Sequence, residues 1–296
     1  MHRTIQLTSV RQLSGTNSGV NRTRLRRAVA RTPLAPVAAF PLRLAKVARY
    51  DARVLRVSAR WLFTSREHHN YTYDLTRLSR EHLAWFVATA CDVPVAQVRG
   101  YFAEIEGDTA LRRHIESATA GAARRGLADR KVRYARRIGW YAIVRAKRPA
   151  HVVETGVDKG LGTVVLAAAL LRNAAEGDPG RVTSLDINPE AGYLARTEPW
   201  SSVVDLVIGD SIASIGALDR KVDLFLHDSD HSVAHERREF EAVEAKLAPG
   251  ALLLTDNVTV TNVLAEHAEK TGRRFLAYRE TPAHHWFPGD GIGLAW

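Results

Sequence analysis

From His151 onward, short apolar and β-branched runs alternate with longer stretches of helical character, and this alternation constrains the fold more than any other feature of the chain. Strands are expected at 151 to 155, 181 to 186, 203 to 208, 222 to 227 and 250 to 255, with helices at about 160 to 173, 211 to 217, 233 to 247 and 258 to 270. Such alternation means an α/β protein whose parallel sheet is wound on both faces by helices. The last two runs, Arg274 to Arg279 and Gly291 to Trp296, break the rule. Only a Pro, His and Gly rich connection lies between them, and a parallel crossover needs about a dozen residues or more, so a terminal antiparallel pair is expected.

In an open parallel sheet, ligands bind at the carboxyl ends of the strands, and this chain places acids there. Glu154 ends the first strand and Asp186 the second, Asp210 follows the third, Asp228 the fourth, and Asp256 with Asn257 the fifth. An acid at the second strand end suits the ribose hydroxyls of an adenosine cofactor. Between the first strand and helix, Gly156, Gly160 and Gly162 let backbone amides approach a ligand with no Cβ in the way. The order is Gly156, three residues, Gly160, one residue, Gly162, which departs from the G-x-G-x-x-G of dinucleotide binders. Glu154, just before the turn, would repel a pyrophosphate and suits a cofactor with a cationic amino acid end.

With these motifs, residues 150 to 296 resemble the class I S-adenosylmethionine-dependent methyltransferases, most nearly the small-molecule O-methyltransferase branch. The resemblance implies a doubly wound, mostly parallel seven-stranded sheet, Rossmann-like, with a terminal antiparallel strand pair and an N-terminal helical extension. It implies that Glu154 and Gly156 lie by the methionine moiety, Asp186 holds the ribose, and Asp210 with Ser211 flanks the adenine. Gly160, Thr163 and Asp228 complete the cofactor-binding set expected here. Asp158 and Lys159 stand in the loop where other branches often carry small residues.

A second signal lies in His227-Asp228-Ser229-Asp230-His231 and in Asp256-Asn257. Asp228, Asp256 and Asn257 are hard oxygen donors of the kind Mg²⁺ prefers, and they can equally serve the cofactor with no metal. The pattern resembles catechol-type metal-dependent O-methyltransferases, in which an Asp and an Asp-Asn pair hold the metal. In that family the residue three after the first Asp is the general base, here His231. An imidazole can take a hydroxyl proton at neutral pH, and the alternative for His231 is a cap on the following helix. Asp230 reads as a helix N-terminal acid. His284, His285 and Trp286 read either as substrate contacts or as a polar surface loop, and Trp200 reads as packing.

Before His151 the chain is helical and its charge is uneven. Residues 1 to 60 hold 13 Lys or Arg against one acid, Asp51, while the other 236 residues hold 29 bases and 31 acids. The formal net charge of +10 therefore describes a tail and is not a nucleic-acid footprint of the whole protein. Residues 1 to 40 read as largely disordered. Arg43, Lys46, Arg49, Arg53, Arg56 and Arg60 then recur every three or four residues, opposite Leu44, Val47, Ala48, Val54, Leu55 and Leu62. Residues 42 to 63 thus form a basic amphipathic helix, which either lies on an anionic membrane or packs on its own domain. Ser79 is the expected cap of a helix carrying Leu83, Phe86 and Val87, a further helix carries Val95, Val98, Phe102 and Ile105, and another runs from about Asp129 to Lys147.

The expected organisation is a basic tail with an amphipathic helix over 1–60, a helical cap over 61–130 and a methyltransferase domain over 131–296. A single Cys91 excludes an internal disulfide, and no run reaches the length of a membrane span, so a cytoplasmic protein, peripheral at the membrane if the amphipathic helix binds there, is expected. S-adenosylmethionine is the expected cofactor, with Mg²⁺ where the acids hold a metal, and a small-molecule hydroxyl the expected acceptor. Homo-oligomerisation stays open. Two other readings remain: a nucleic-acid methyltransferase gripping phosphates with its tail, and a non-catalytic cofactor-binding or membrane-attached scaffold. The first lacks the Asn-Pro-Pro-aromatic motif after the fourth strand.

Overall fold

The computed structural model describes residues 30–33, 35–69 and 71–296, so residues 1–29, most of the segment read as disordered, lie outside the described residues. The chain divides into two compact units, one reaching Arg56 and one from Val57 to Trp296. Helix α1 (Ala35–Thr64) begins before the expected boundary at Leu42 and has no buried residue. Pro36 sits in its first turn, where its missing N–H would have no partner, and Pro41 forgoes a single helical bond. Among the described residues no helix is long and apolar enough to cross a membrane.

After the last turns of α1, the second unit continues with a short strand β1 (Asp74–Leu75) and four helices: α2 (Arg77–Cys91), α3 (Val95–Gly107), α4 (Thr109–Gly121) and α5 (Arg137–Lys147). Thr76, rather than Ser79, caps α2 by accepting from the Ser79 amide. Ser79 is instead buried, its hydroxyl 2.6 Å from that of Tyr278. Asp108 caps α4 through the Leu111 amide at 2.9 Å. The expected helix from Asp129 begins only at Arg137, because Ala135 adopts a left-handed φ of 49°.

The alternating part comprises β2 (His151–Thr155), α6 (Leu161–Ala175), β3 (Arg181–Asp186), β4 (Val204–Ile208), α7 (Ser211–Gly216), β5 (Val222–His227), α8 (Val233–Glu244), β6 (Leu247–Asp256), α9 (Val263–Thr271), β7 (Phe275–Arg279), β8 (Pro282–Ala283) and β9 (Gly291–Ala295). The seven-stranded sheet runs β4-β3-β2-β5-β6-β9-β7. Pairing is parallel from β4 to β6, and β9 enters antiparallel between β6 and β7. The expected reversal at the chain's end is therefore present. A second, two-stranded sheet pairs Asp74 with Ala283 and Leu75 with Pro282 and was not foreseen.

Successive strand residues feed opposite cores, as the two-residue period of a strand requires. Val152, Leu224, Leu226, Leu252 and Leu254 pack with α2, α3, α5 and α6 on one face. Val153, Phe225 and Leu253 pack with Phe240, Val243 and Leu264 on the other. Trp140, Tyr141 and Val144 of α5 are buried, as their spacing predicts. Arg145, also buried, joins Glu104 of α3 at 2.8 Å and Glu176 after α6 at 2.6 Å, tying the helical segment to the sheet domain.

Candidate active site

Strand order reverses between β2 and β5, and a cavity of about 750 Å³ opens there at the strands' carboxyl ends. Glu154, Gly156, Asp186, Asp210 and Ser211 line it on one side, and Asp228, His231, Asp256 and Asn257 on the other. Gly160 and Thr163 stand behind the lining. Gly160 opens α6 at a φ of 91°, and a Cβ there would lie 3.0 Å from Gly192. Thr163 is buried and donates to Glu154 Oε2 at 2.6 Å.

Glu154 is 1% exposed and also accepts from Ser184 at 2.8 Å. Burial pushes its carboxyl from the ordinary 4.5 up to about 7, against the two hydroxyl bonds that lower it. Gly156 lies at a φ of 81°, and a Cβ there would sit 2.0 Å from the Asp228 carbonyl oxygen. Only glycine lets the two switch-point loops touch. Asp186 Oδ2 accepts from the amides of Val157 at 2.8 Å and Asp158 at 2.9 Å, while Oδ1 accepts from Asn188 at 2.8 Å. It therefore clamps the glycine loop to the end of β3. Asp210 caps α7 through the Ala213 amide, and Ser211 donates to Glu239.

Glu239, fully buried on α8, was missed from sequence although it joins both sides of the cavity. It takes His227 at 2.6 Å, Thr155 at 2.7 Å, Ser229 at 2.9 Å and His235 at 2.9 Å. Burial raises its carboxyl, but the bonds and charge of His227 with the hydroxyls outweigh that and hold it at about 2.

The other omission is Arg136, 6% exposed, just before α5. Its Nε and Nη2 donate to the two oxygens of Asp256, and Nη2 also reaches Asn257 Oδ1 at 2.8 Å. Nη1 donates to Glu280 at 2.7 Å and Tyr73 at 3.1 Å, and Tyr73 donates to the same Glu280 at 2.5 Å. A local signal existed. Arg136 and Arg137 crowd the positive end of a helix, an unfavourable place for cations unless acids meet them.

Asn257, at a φ of 56°, turns its Nδ2 to His231 Nε2 at 2.7 Å. Because Arg136 takes Oδ1, the amide orientation follows, and Nε2 must accept, leaving the His231 proton on Nδ1. Burial holds the His231 imidazole below its usual range, hence neutral. Asp228 is half-buried, 3.8 Å from His231, and burial with the neighbouring Asp256 charge drives its carboxyl well up. Asp256 is pushed up by burial but pulled further down by Arg136.

These residues do not fit the Mg²⁺ site expected from sequence. Arg136 already engages both Asp256 oxygens and the Asn257 oxygen, and no group of three or more His, Cys, Asp or Glu side chains among the described residues could hold a metal ion. Asp228, Asp256 and Asn257 do stand at adjacent strand ends, but a guanidinium from the residue just before α5 has taken the donors of the last two.

Tyr71, Tyr73 and Phe287 wall the cavity and pack edge-on or tilted with His285 and Trp286. His285 is held neutral, its imidazole lowered by burial to about 4. Of the tripeptide 284–286, none lines the cavity directly; His285 and Trp286 support the wall from behind. Trp200 is buried and stacks on His114 at 4.2 Å, a packing role.

Residues 153–258 match the family model described as a methyltransferase domain. An O-methyltransferase from Bacillus cereus, solved in complex with SAH, superposes with a TM-score of 0.51 at 17% identity, covering 62% of this chain and 90% of that one. An O-methyltransferase from Streptomyces achromogenes involved in tomaymycin synthesis gives 0.47 at 17% identity, over 62% and 88%. A methyltransferase from Geobacter sulfurreducens gives 0.45 at 23% identity, over 61% and 87%. No curated protein matches the sequence. The fold is the one seen in the Bacillus cereus O-methyltransferase. Within it, residues 153–258, from β2 to just past β6, are the part that matches the methyltransferase-domain model.

Proposed function

We propose that this chain transfers the methyl group of S-adenosylmethionine to a hydroxyl of a small molecule. The observation that carries this reading is one cavity holding a buried acid at the glycine loop, an acid at the next strand end and a neutral histidine opposite. S-adenosylmethionine supplies an electrophilic methyl on a sulfonium. Glu154 would face its cationic end, Asp186 would take the ribose hydroxyls, and Asp210 with Ser211 would flank the base. Gly156 and Gly162 leave room at the loop, where a Cβ on Gly162 would strike Glu154 at 2.4 Å.

On the acceptor side, Tyr71, Tyr73 and Phe287 give the cavity an aromatic wall against which an acceptor would pack. An incoming hydroxyl would replace the Asn257 amide at His231 Nε2 and give its proton there as its oxygen bonds the methyl carbon and the carbon–sulfur bond of the sulfonium breaks, the thioether leaving neutral. Calorimetry with S-adenosylmethionine tests the reading, and Asp186→Ala should weaken binding by roughly 10- to 100-fold. No binding by the wild type at millimolar cofactor would remove it. A methyl-transfer screen against hydroxylated metabolites then identifies the acceptor.

We also propose that α1 lies on an anionic membrane surface. Its basic row faces away from Val37, Phe40, Leu44, Val47 and Leu55, all exposed. This supports peripheral binding to an anionic bilayer. The full chain should sediment with phosphatidylglycerol vesicles and not with phosphatidylcholine alone, and replacing Arg43, Lys46, Arg49 and Arg53 by Glu should abolish it. Equal sedimentation after charge reversal would dismiss the contact.

A further inference from the structure

We propose that Arg136 is the resident cation of this site, its guanidinium standing where a divalent metal would otherwise meet Asp228, Asp256 and Asn257, so that the native protein binds no such ion there. The three oxygen-bearing side chains do converge, since β5 and β6 are paired neighbours with His227 beside Thr255. A metal, however, needs the same lone pairs at about 2.1 Å that Arg136 already uses. The guanidinium cannot share them without two cations in contact.

Nor is Arg136 free to leave. All five of its N–H donors have acceptors: Nε and one Nη2 hydrogen on Asp256, the other on Asn257, and the two of Nη1 on Glu280 and Tyr73. Both Asp256 and Glu280 are almost fully buried, and swinging the side chain out would strand two carboxylates away from water. The rest of the cluster depends on this arrangement. By taking Asn257 Oδ1, Arg136 aims the Asn257 amide at His231 and sets which imidazole nitrogen carries the proton. Arg136 is therefore also a positioning residue for the proposed base.

Metal binding at this cluster is read directly and does not depend on methyl transfer. The full chain is titrated with Mn²⁺, and free ion is followed by electron paramagnetic resonance. Wild type should leave Mn²⁺ free up to roughly millimolar concentration, whereas Arg136→Ala, once circular dichroism shows it folded, should bind at least about tenfold more tightly. Arg136→Met, which retains a buried apolar stem, serves as the second variant. Stoichiometric Mn²⁺ binding by the wild type at micromolar concentration would overturn the inference, as would folded variants with no gain in affinity. Failure of S-adenosylmethionine to bind is a separate outcome that bears on the proposed function alone.

Discussion

Glu154 should make stability and cofactor affinity depend on pH in opposite senses. Burial raises its carboxyl from 4.5 to about 7, so the folded state holds the proton more tightly than the unfolded chain does. Stability from this group is fully present below 4.5 and is lost as pH rises through about 7. A shift of that size, at about 1.4 kcal/mol per unit, amounts to about 3 kcal/mol. The group is completely buried, so solvent screening does not reduce it. Glu154→Gln keeps the shape and the acceptor for Thr163 and Ser184 but removes the titration. Urea unfolding of both proteins across that pH range should show wild type losing about 3 kcal/mol relative to the variant. A cofactor with a cationic end favours the ionised carboxylate, so wild-type affinity should rise with pH towards 7 and calorimetry in buffers of different ionisation heat should show proton release. A flat stability difference between the two proteins over this range would refute the assignment of a buried, proton-retaining acid.

Gly156→Ala places a methyl 2.0 Å from the Asp228 carbonyl at a left-handed φ, and should cost more than about 3 kcal/mol and abolish cofactor binding; a melting temperature within two or so degrees of wild type would contradict the packing. His231→Ala should lower kcat by roughly 10²- to 10⁴-fold while leaving the cofactor's Kd nearly unchanged, and an unaltered kcat would remove it as base. Arg145→Met strands the Glu104 and Asn173 partners and should destabilise by about 2 kcal/mol in urea titration, with little change in cofactor Kd once folded; no loss of stability would mean that the tie between helical segment and sheet is idle.

Most of the architecture was legible because its signals are local. Apolar runs of strand length, helical spacing and the reversed last pair each lie within a few residues, and the acids fall at strand ends simply because the strands stop there. That local reading placed β2, β3 and β5 at their observed bounds and brought Glu154, Asp186, Asp228, His231, Asp256 and Asn257 to one cavity. Helix starts fared worse where the deciding group was a cap or a left-handed residue, as at Thr76 and Ala135.

What only the folded molecule decided is the electrostatic content of that cavity. Arg136 lies 120 residues from Asp256 and 144 from Glu280, and Glu239 lies 84 from Thr155. No periodicity spans such separations. Side chains were legible as types at strand ends, but whether an Asp and an Asn there meet a metal or a guanidinium depends on which distant helix the core brings over them, and that is set by packing.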